Sequence, residues 1–186
     1  VHHMAMHHVE NNQHDDASST MEYKRDSITD FLKYVARFLL LGFRDTFMYL
    51  FNRKRKKLYM RLTYGEISFY LFCVVMSFVN FHATLWIFII PFVFARIVMM
   101  LGNWTQHSFI DKSDTEDNFT SAINCINTKY NHTCWNDGYH TVHHLRPYMH
   151  YTDIPAEFLK MKDQFAEKKS FVFSDVHYLH IFVWLM

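Results

Sequence analysis

The chain has 186 residues, a length that suits a single domain. Nineteen Lys and Arg against eighteen Asp and Glu leave a formal charge of +1, which gives a general nucleic-acid role no support. Half of the residues are hydrophobic, and only four Gly and three Pro argue against a turn-rich all-β design.

Val1 stands almost on top of a histidine cluster, His3-Met-Ala-Met-His7-His8. Its interleaved Met and Ala, and the Val-Glu-Asn-Asn that follows, are unlike a purification tag. With no initiator Met and no signal peptide, the sequence reads as a fragment lacking residues ahead of Val1. Residues 11–30 are polar, and 15–20 read as a loop with helix-capping residues. Residues 31–51 have the pattern of an amphipathic helix with Lys33, Arg37 and Arg44 on one side. Its uncharged run, 38–43, is too short to span a bilayer. The segment is expected to lie in or on a membrane interface, an ordinary soluble amphipathic helix being the alternative. The run Arg-Lys-Arg-Lys-Lys at 53–57 could serve a nucleic acid or a localisation signal. It precedes the most apolar region of the chain, however, where cytosolic anchoring charge belongs.

Residues 67–95 contain no Asp, Glu, Lys or Arg. A spanning helix needs about 20 residues at about 1.5 Å each. Residues 64–102 are long for one span and enough for two, with Asn80-Phe-His82-Ala-Thr84 as a polar turn. One long tilted span is the alternative from hydropathy alone. Beyond it come an acidic loop (111–118), a short helix or connector (120–129) and a segment (136–145) with a second cluster, His140-Thr-Val-His143-His144. Pro147 and Pro155 bound a loop, 156–169 read as a polar surface helix, and 176–186 as an aromatic, apolar interfacial segment.

On a helix, positions i, i+3 and i+4 share a face, so His140, His143 and His144 point one way, and His3, His7 and His8 nearly so. A lone histidine is usually a surface or satisfied core residue. Two clusters of one grammar are harder to assign to chance, and neutral imidazole suits iron, zinc, copper and nickel. To share a site, the clusters must lie on one side of a membrane. A single crossing would put about 30 Å of hydrocarbon between them, whereas two crossings return the chain. Residues 64–102 are therefore read as a transmembrane hairpin, with both clusters on the side of 53–57. Directly after it, Asn103-Trp-Thr-Gln-His107 places His107 to join the site, with Asn103 one helical turn earlier, reaching it directly or through a water. Soluble di-iron bundles use Glu with Glu-x-x-His, a pattern lacking here, and a zinc hydrolase needs about three ligands. Seven histidines suggest two metal ions. Glu10 beside the first cluster, and Asn136, Asp137 and Tyr139 beside the second, are candidates to hydrogen-bond the ligands. For the last three, a helix cap and a packing aromatic are the alternative. His2, His14, His82, His132, His150, His177 and His180 receive no role, His82 falling at the far end of the hairpin. Cys73, Cys125 and Cys134 form no C-x-x-C and suit reduced thiols facing the cytosol. No haem attachment motif, Gly-rich nucleotide loop or iron–sulfur cysteine cluster occurs in the sequence.

The order H-x-x-x-H-H, two-span hairpin, Asn-x-x-x-His, then Gly-Tyr-His-x-x-His-His resembles the membrane-bound fatty acid desaturases, from His3 to about Pro155. The resemblance implies an all-α integral membrane protein of four spans, with a cytosolic helical cap holding two iron ions. It implies that O2 is activated there to remove hydrogen from a lipid acyl chain. His3, His7 and His8 would fill the second histidine box, and His140, His143 and His144 the third. His107 would be the isolated ligand, with Asn103 as its water-linked partner. The family's first box, with two more histidines after an earlier pair of spans, is absent from this sequence, which agrees with a fragment and leaves its own metal site incomplete. Electrons would come from a cytochrome-type haem protein or a ferredoxin. The endoplasmic reticulum is the expected membrane, with plastid and bacterial membranes as alternatives. A lipid hydroxylase with the same ligands, a non-catalytic metal-binding membrane protein and a histidine-rich zinc or copper binder are the competing readings.

Overall fold

The computed structural model describes residues 1–110 and 117–186 and is mostly helical. The acidic loop expected at 111–118 falls, up to residue 116, outside the described residues. A π-helical turn, His3–His7, runs into the short α1, His8–Glu10. It stops at Asn11 and Asn12, whose φ of 46° and 65° lie in the left-handed region that asparagine visits more readily than most residues.

Helix α2, Ile28–Asn52, begins a few residues earlier than its hydrophobic pattern suggests. Ser27 caps it, its side chain accepting the Asp30 N–H at 3.3 Å, and Asp30 places a carboxylate in the first turn. Phe31, Tyr34, Phe38, Gly42, Thr46 and Tyr49, in steps of three and four, form its buried face. Lys33, Arg37 and Arg44 are exposed, but so are Leu40, Leu41, Met48 and Phe51, so the outer surface is partly apolar.

Helix α3, Lys56–Thr84, a π-helical turn, Leu85–Ile89, and α4, Ile90–Gln106, follow. Together they are long and apolar enough to cross a membrane, and only 6% of the most apolar window is buried. Helicity breaks once, at Asn80, with extended φ −156° and ψ 99°. Asn80 Oδ1 accepts the N–H of Ala83 at 3.0 Å, so this residue ends one helix and caps the next. Either side of it, Phe72 meets Phe88 edge-on at 5.0 Å, Phe69 stacks on Phe92 at 4.5 Å, and Arg96 pairs with Glu66. These partners lie ever further apart in the chain as one moves away from Asn80, so the two arms run side by side.

The rest is made of short pieces: α5 (Asn118–Ser121), β1 (Asn124–Ile126), α6 (Lys129–Thr133), α7 (His140–Leu145), α8 (Ile154–Lys160), α9 (Lys162–Glu167), β2 (Val172–Ser174) and α10 (Tyr178–Leu185). The parallel pair β1–β2, with Asn124 opposite Val172, departs from a purely helical reading. Three-residue strands are too short to show a periodicity. The single polar helix expected at 156–169 is instead two, broken at Met161. It is also half-buried: Ile154, Phe158, Met161 and Phe165 pack with Val142 of α7. In α10, Tyr178 and Ile181 are buried with Ile123 and Cys125, while Leu179, Val183 and Trp184 are exposed.

The main core gathers around Trp104 near the end of α4, which is fully buried against Tyr34 and Phe31 at ring distances of 5.3 and 5.5 Å. Tyr23 and Met6 join the same cluster. This packing joins α2, the end of α4 and the first histidine turn into one body.

Candidate metal centre

Seven histidines from three segments converge. The first turn supplies His3, His7 and His8, the end of α4 supplies His107, and α7 supplies His140, His143 and His144. They fall into two groups. His7, His107, His140 and His144 are all buried; His3, His8 and His143 are more accessible, and within each group one nitrogen of every ring lies within 4.8 Å of the others. The α-helical face expected for His3, His7 and His8 is replaced by a division whose cause is local. In the π turn, His8 N–H bonds the His3 carbonyl five residues back. That wider turn brings His3 edge-on to His8, Nε2 to Nε2 at 3.0 Å, and sends His7 to the other group. On α7 the i, i+4 spacing brings His140 and His144 Nε2 to 3.1 Å. His143 Nε2 instead stands 3.1 Å from that of His3 and 2.9 Å from that of His8.

Two of the buried rings have a partner that fixes their proton. His7 Nδ1 faces Asp16 Oδ2 at 2.6 Å, and the Ser18 N–H and hydroxyl both donate to Asp16 Oδ1 at 2.8 Å. Burial raises the Asp16 carboxyl, but hydrogen bonds from His2 and His7 outweigh it and hold it well below the usual carboxylate range. His107 Nδ1 donates to the Ser121 carbonyl at 2.7 Å, leaving a buried Nε2 with no hydrogen-bond partner among the described residues. The proton is thereby kept on Nδ1 and the Nε2 lone pair on the inner side. Burial first, then the neighbouring imidazoles, push His3 down to about 3 and His8 to about 2. Burial lowers His107 to about 3, and lowers His140, His143 and His144 as well. At neutral pH these rings are uncharged and offer lone pairs.

The donor set fits a metal. Three neutral Nε2 atoms about 3 Å apart can share few protons, and their remaining lone pairs repel unless a cation lies between them. Two nitrogens each about 2.1 Å from one ion, at right angles, are about 3.0 Å apart. An all-imidazole set of this kind suits first-row transition ions, one for each group.

Of the other residues singled out in the sequence, only Asp137 reaches a ligand ring among the described residues. Asn103 donates its amide to the Ser18 carbonyl and to Tyr34 Oη, both at 2.8 Å, so it braces the Asp16–Ser18 loop. Glu10 turns away from the imidazoles to Tyr49 Oη at 2.6 Å and Arg53 at 2.9 Å. Asn136 donates to the Tyr151 carbonyl, and Tyr139 precedes α7 as its N-cap residue and packs on Phe158. Asp137 accepts from Gln106 at 2.9 Å, and its other oxygen stands 3.7 Å from His140 Nδ1. Asp16 escaped sequence reading because residues 15–20 looked like capping positions. The available signal was chemical: a buried ligand imidazole needs an acceptor for its other nitrogen.

A family model described as fatty acid desaturase matches residues 1–175. Neither the curated proteins nor the solved structures yield a match. The matched span contains all seven imidazoles and Asp16, and leaves out α10 with the two residues before it and Met186 after it. The chain belongs to the fatty acid desaturase family.

Proposed function

We propose that this protein is an O2-dependent, di-iron lipid desaturase that introduces a double bond into a fatty acyl chain. Family membership makes it an oxidoreductase of desaturase or hydroxylase type that acts on a lipid. The observation that carries the finer reading is the division of seven imidazoles into two groups, each spaced to hold one ion. Two irons bound there would supply the oxidation of an unactivated C–H bond by O2. His7, His107, His140 and His144 hold one, and His3, His8 and His143 hold the other. Asp16 and the Ser121 carbonyl keep Nδ1 engaged, so that the ligand nitrogens do not rotate away. In the balance, the acyl chain gives up two hydrogens. Two electrons and two protons from an external donor, a cytochrome-type haem protein or a ferredoxin, complete the conversion of O2 to two waters.

In this reading α3 and α4 form a transmembrane hairpin turning at Asn80. Support comes from the exposed, apolar surface of the arms and from the pairing of residues across the turn. Both imidazole groups then lie on the side of residues 53–57, facing the cytosol, with the endoplasmic reticulum as the expected membrane.

The test is metal and product analysis of the full-length protein made with iron available. We expect two irons per chain and a lipid product lacking two hydrogens. A product with added oxygen would instead mark a lipid hydroxylase, and zinc as the sole bound metal would sink the di-iron reading. His143→Ala is expected to abolish desaturation and to lower bound iron; retained activity refutes the assignment.

A further inference from the structure

A cavity of about 210 Å³ lies between the first histidine turn and the arms α3 and α4. His3 lines it, Phe38, Leu62 and Met99 supply apolar wall, and Glu66 and Arg96 add a charged pair. These two residues bracket the uncharged stretch 67–95, and their side chains are only 19% and 17% exposed. Each oxygen of Glu66 has a donor: Arg96 Nη2 serves Oε1, and Tyr70 Oη serves Oε2 at 2.7 Å. The guanidinium is less occupied. It lies over the Phe92 ring at 4.3 Å and makes no other hydrogen bond among the described residues, although it carries five N–H donors. Merely joining two helices at the edge of an apolar layer does not require ions. Well-packed apolar residues do so at least as well, and charges in such places usually have a task.

We infer that Arg96, held in place by Glu66, anchors the carbonyl end of a neutral acyl lipid whose chain extends toward His3. The inference rests on the desaturase reading and names the class of substrate. The pair is neutral overall. A free carboxylate would bring an uncancelled charge into a site whose cation is already matched. An ester or amide carbonyl needs only one donor, which Arg96 has to spare. Fixing that carbonyl sets which carbon of the chain reaches the metal, so the anchor also governs the position of the double bond.

The test compares binding of radiolabelled methyl stearate and stearate to the full-length protein, metal-free and iron-loaded, in a neutral detergent. The native protein is expected to bind the ester more tightly than the acid. The uncharged double variant Glu66→Gln/Arg96→Met should bind the ester about tenfold more weakly, the loss of one hydrogen bond to a charged donor. Where turnover is seen, its KM should rise more than kcat falls, and the product should spread over several double-bond positions. The swapped variant Glu66→Arg/Arg96→Glu keeps the ion pair but moves the guanidinium to the other arm. If it melts like the native protein yet stays weak for the ester, the anchor stands. If it restores ester binding and a single product position, the pair is only a clamp and the inference falls. Equal binding of ester and acid by the native protein also overturns it. Because the metal-free protein is read directly, failure of every variant to turn over would count against the desaturase reading and not against the anchor.

Discussion

Asp16 does for His7 what the Ser121 carbonyl does for His107: each engages Nδ1 and so aims the other nitrogen. Asp16→Ala is expected to lower metal affinity by on the order of 10–100-fold with helix content retained. Iron titration followed by circular dichroism checks this, and unchanged affinity would remove Asp16 from the site. The depressed imidazoles also set a pH dependence. His3 and His107 lie at about 3 and His8 at about 2 in the folded chain, against an ordinary 6.5. Between these limits the unfolded chain binds more protons than the folded one, so stability falls as pH falls below 6.5. Asp16 adds to the loss at lower pH, because its folded value lies well below 3.8 and its contribution disappears as pH drops through that value. The metal-free protein should therefore melt at steadily lower temperature from pH 7 to pH 4, and a flat profile would contradict buried neutral rings. Six of the seven histidines were legible in the sequence because their spacing is local, and His107 because it directly follows the apolar stretch. Asp16 was not, since a loop carries it back across nine residues to His7. Glu10, adjacent to His8 but one, was misleading for the same reason: nearness in sequence did not set the direction of its side chain.

Among the elements, the π turn His3–His7 matters most, because its extra residue lets one short segment serve two groups of ligands. Deleting Ala5 should restore an α-helical register and rotate His3 by about 100° relative to His7 and His8. Loss of about half the bound metal is the expected result, and full occupancy would show that the turn is not needed. Helix α7 depends on a different device. A Cβ on Gly138 would meet the Cys125 carbonyl at 2.2 Å and Asn131 Oδ1 at 2.3 Å. The same backbone accepts the Cys125 N–H at 2.7 Å, so α7 is tied closely to β1. Gly138→Ala should destabilise the fold by roughly 1–3 kcal/mol, as overpacking does, in denaturant titration. The buried stripe of α2 could be read from its period, and the polar midpoint at Asn80 from composition. The strands and the break at Met161 could not, because each depends on tertiary packing over only a few residues.

For the molecule as a whole, the reading of α3 and α4 as a membrane hairpin makes a directional statement. In a chain whose three native cysteines are replaced by alanine, His82→Cys and Lys57→Cys should react with an impermeant thiol reagent from opposite faces of sealed vesicles. Labelling of both from one face would reject the two-span topology and with it the stated placement of the imidazoles. The small parallel pair β1–β2 bears on when the centre can exist at all. Asn124 holds Thr141 through two hydrogen bonds, and β1 is in turn paired with Val172–Ser174, so the histidine segment of α7 sits inside a loop that this strand pair closes. On the ribosome, the 67 residues that follow His107, up to Ser174, take on the order of 3 to 13 s at about 5–20 residues per second. For that interval the earlier ligands wait without their partners. In the di-iron reading, metal insertion is therefore expected to be a late step of biosynthesis, decided by the ions at hand when the final strand arrives.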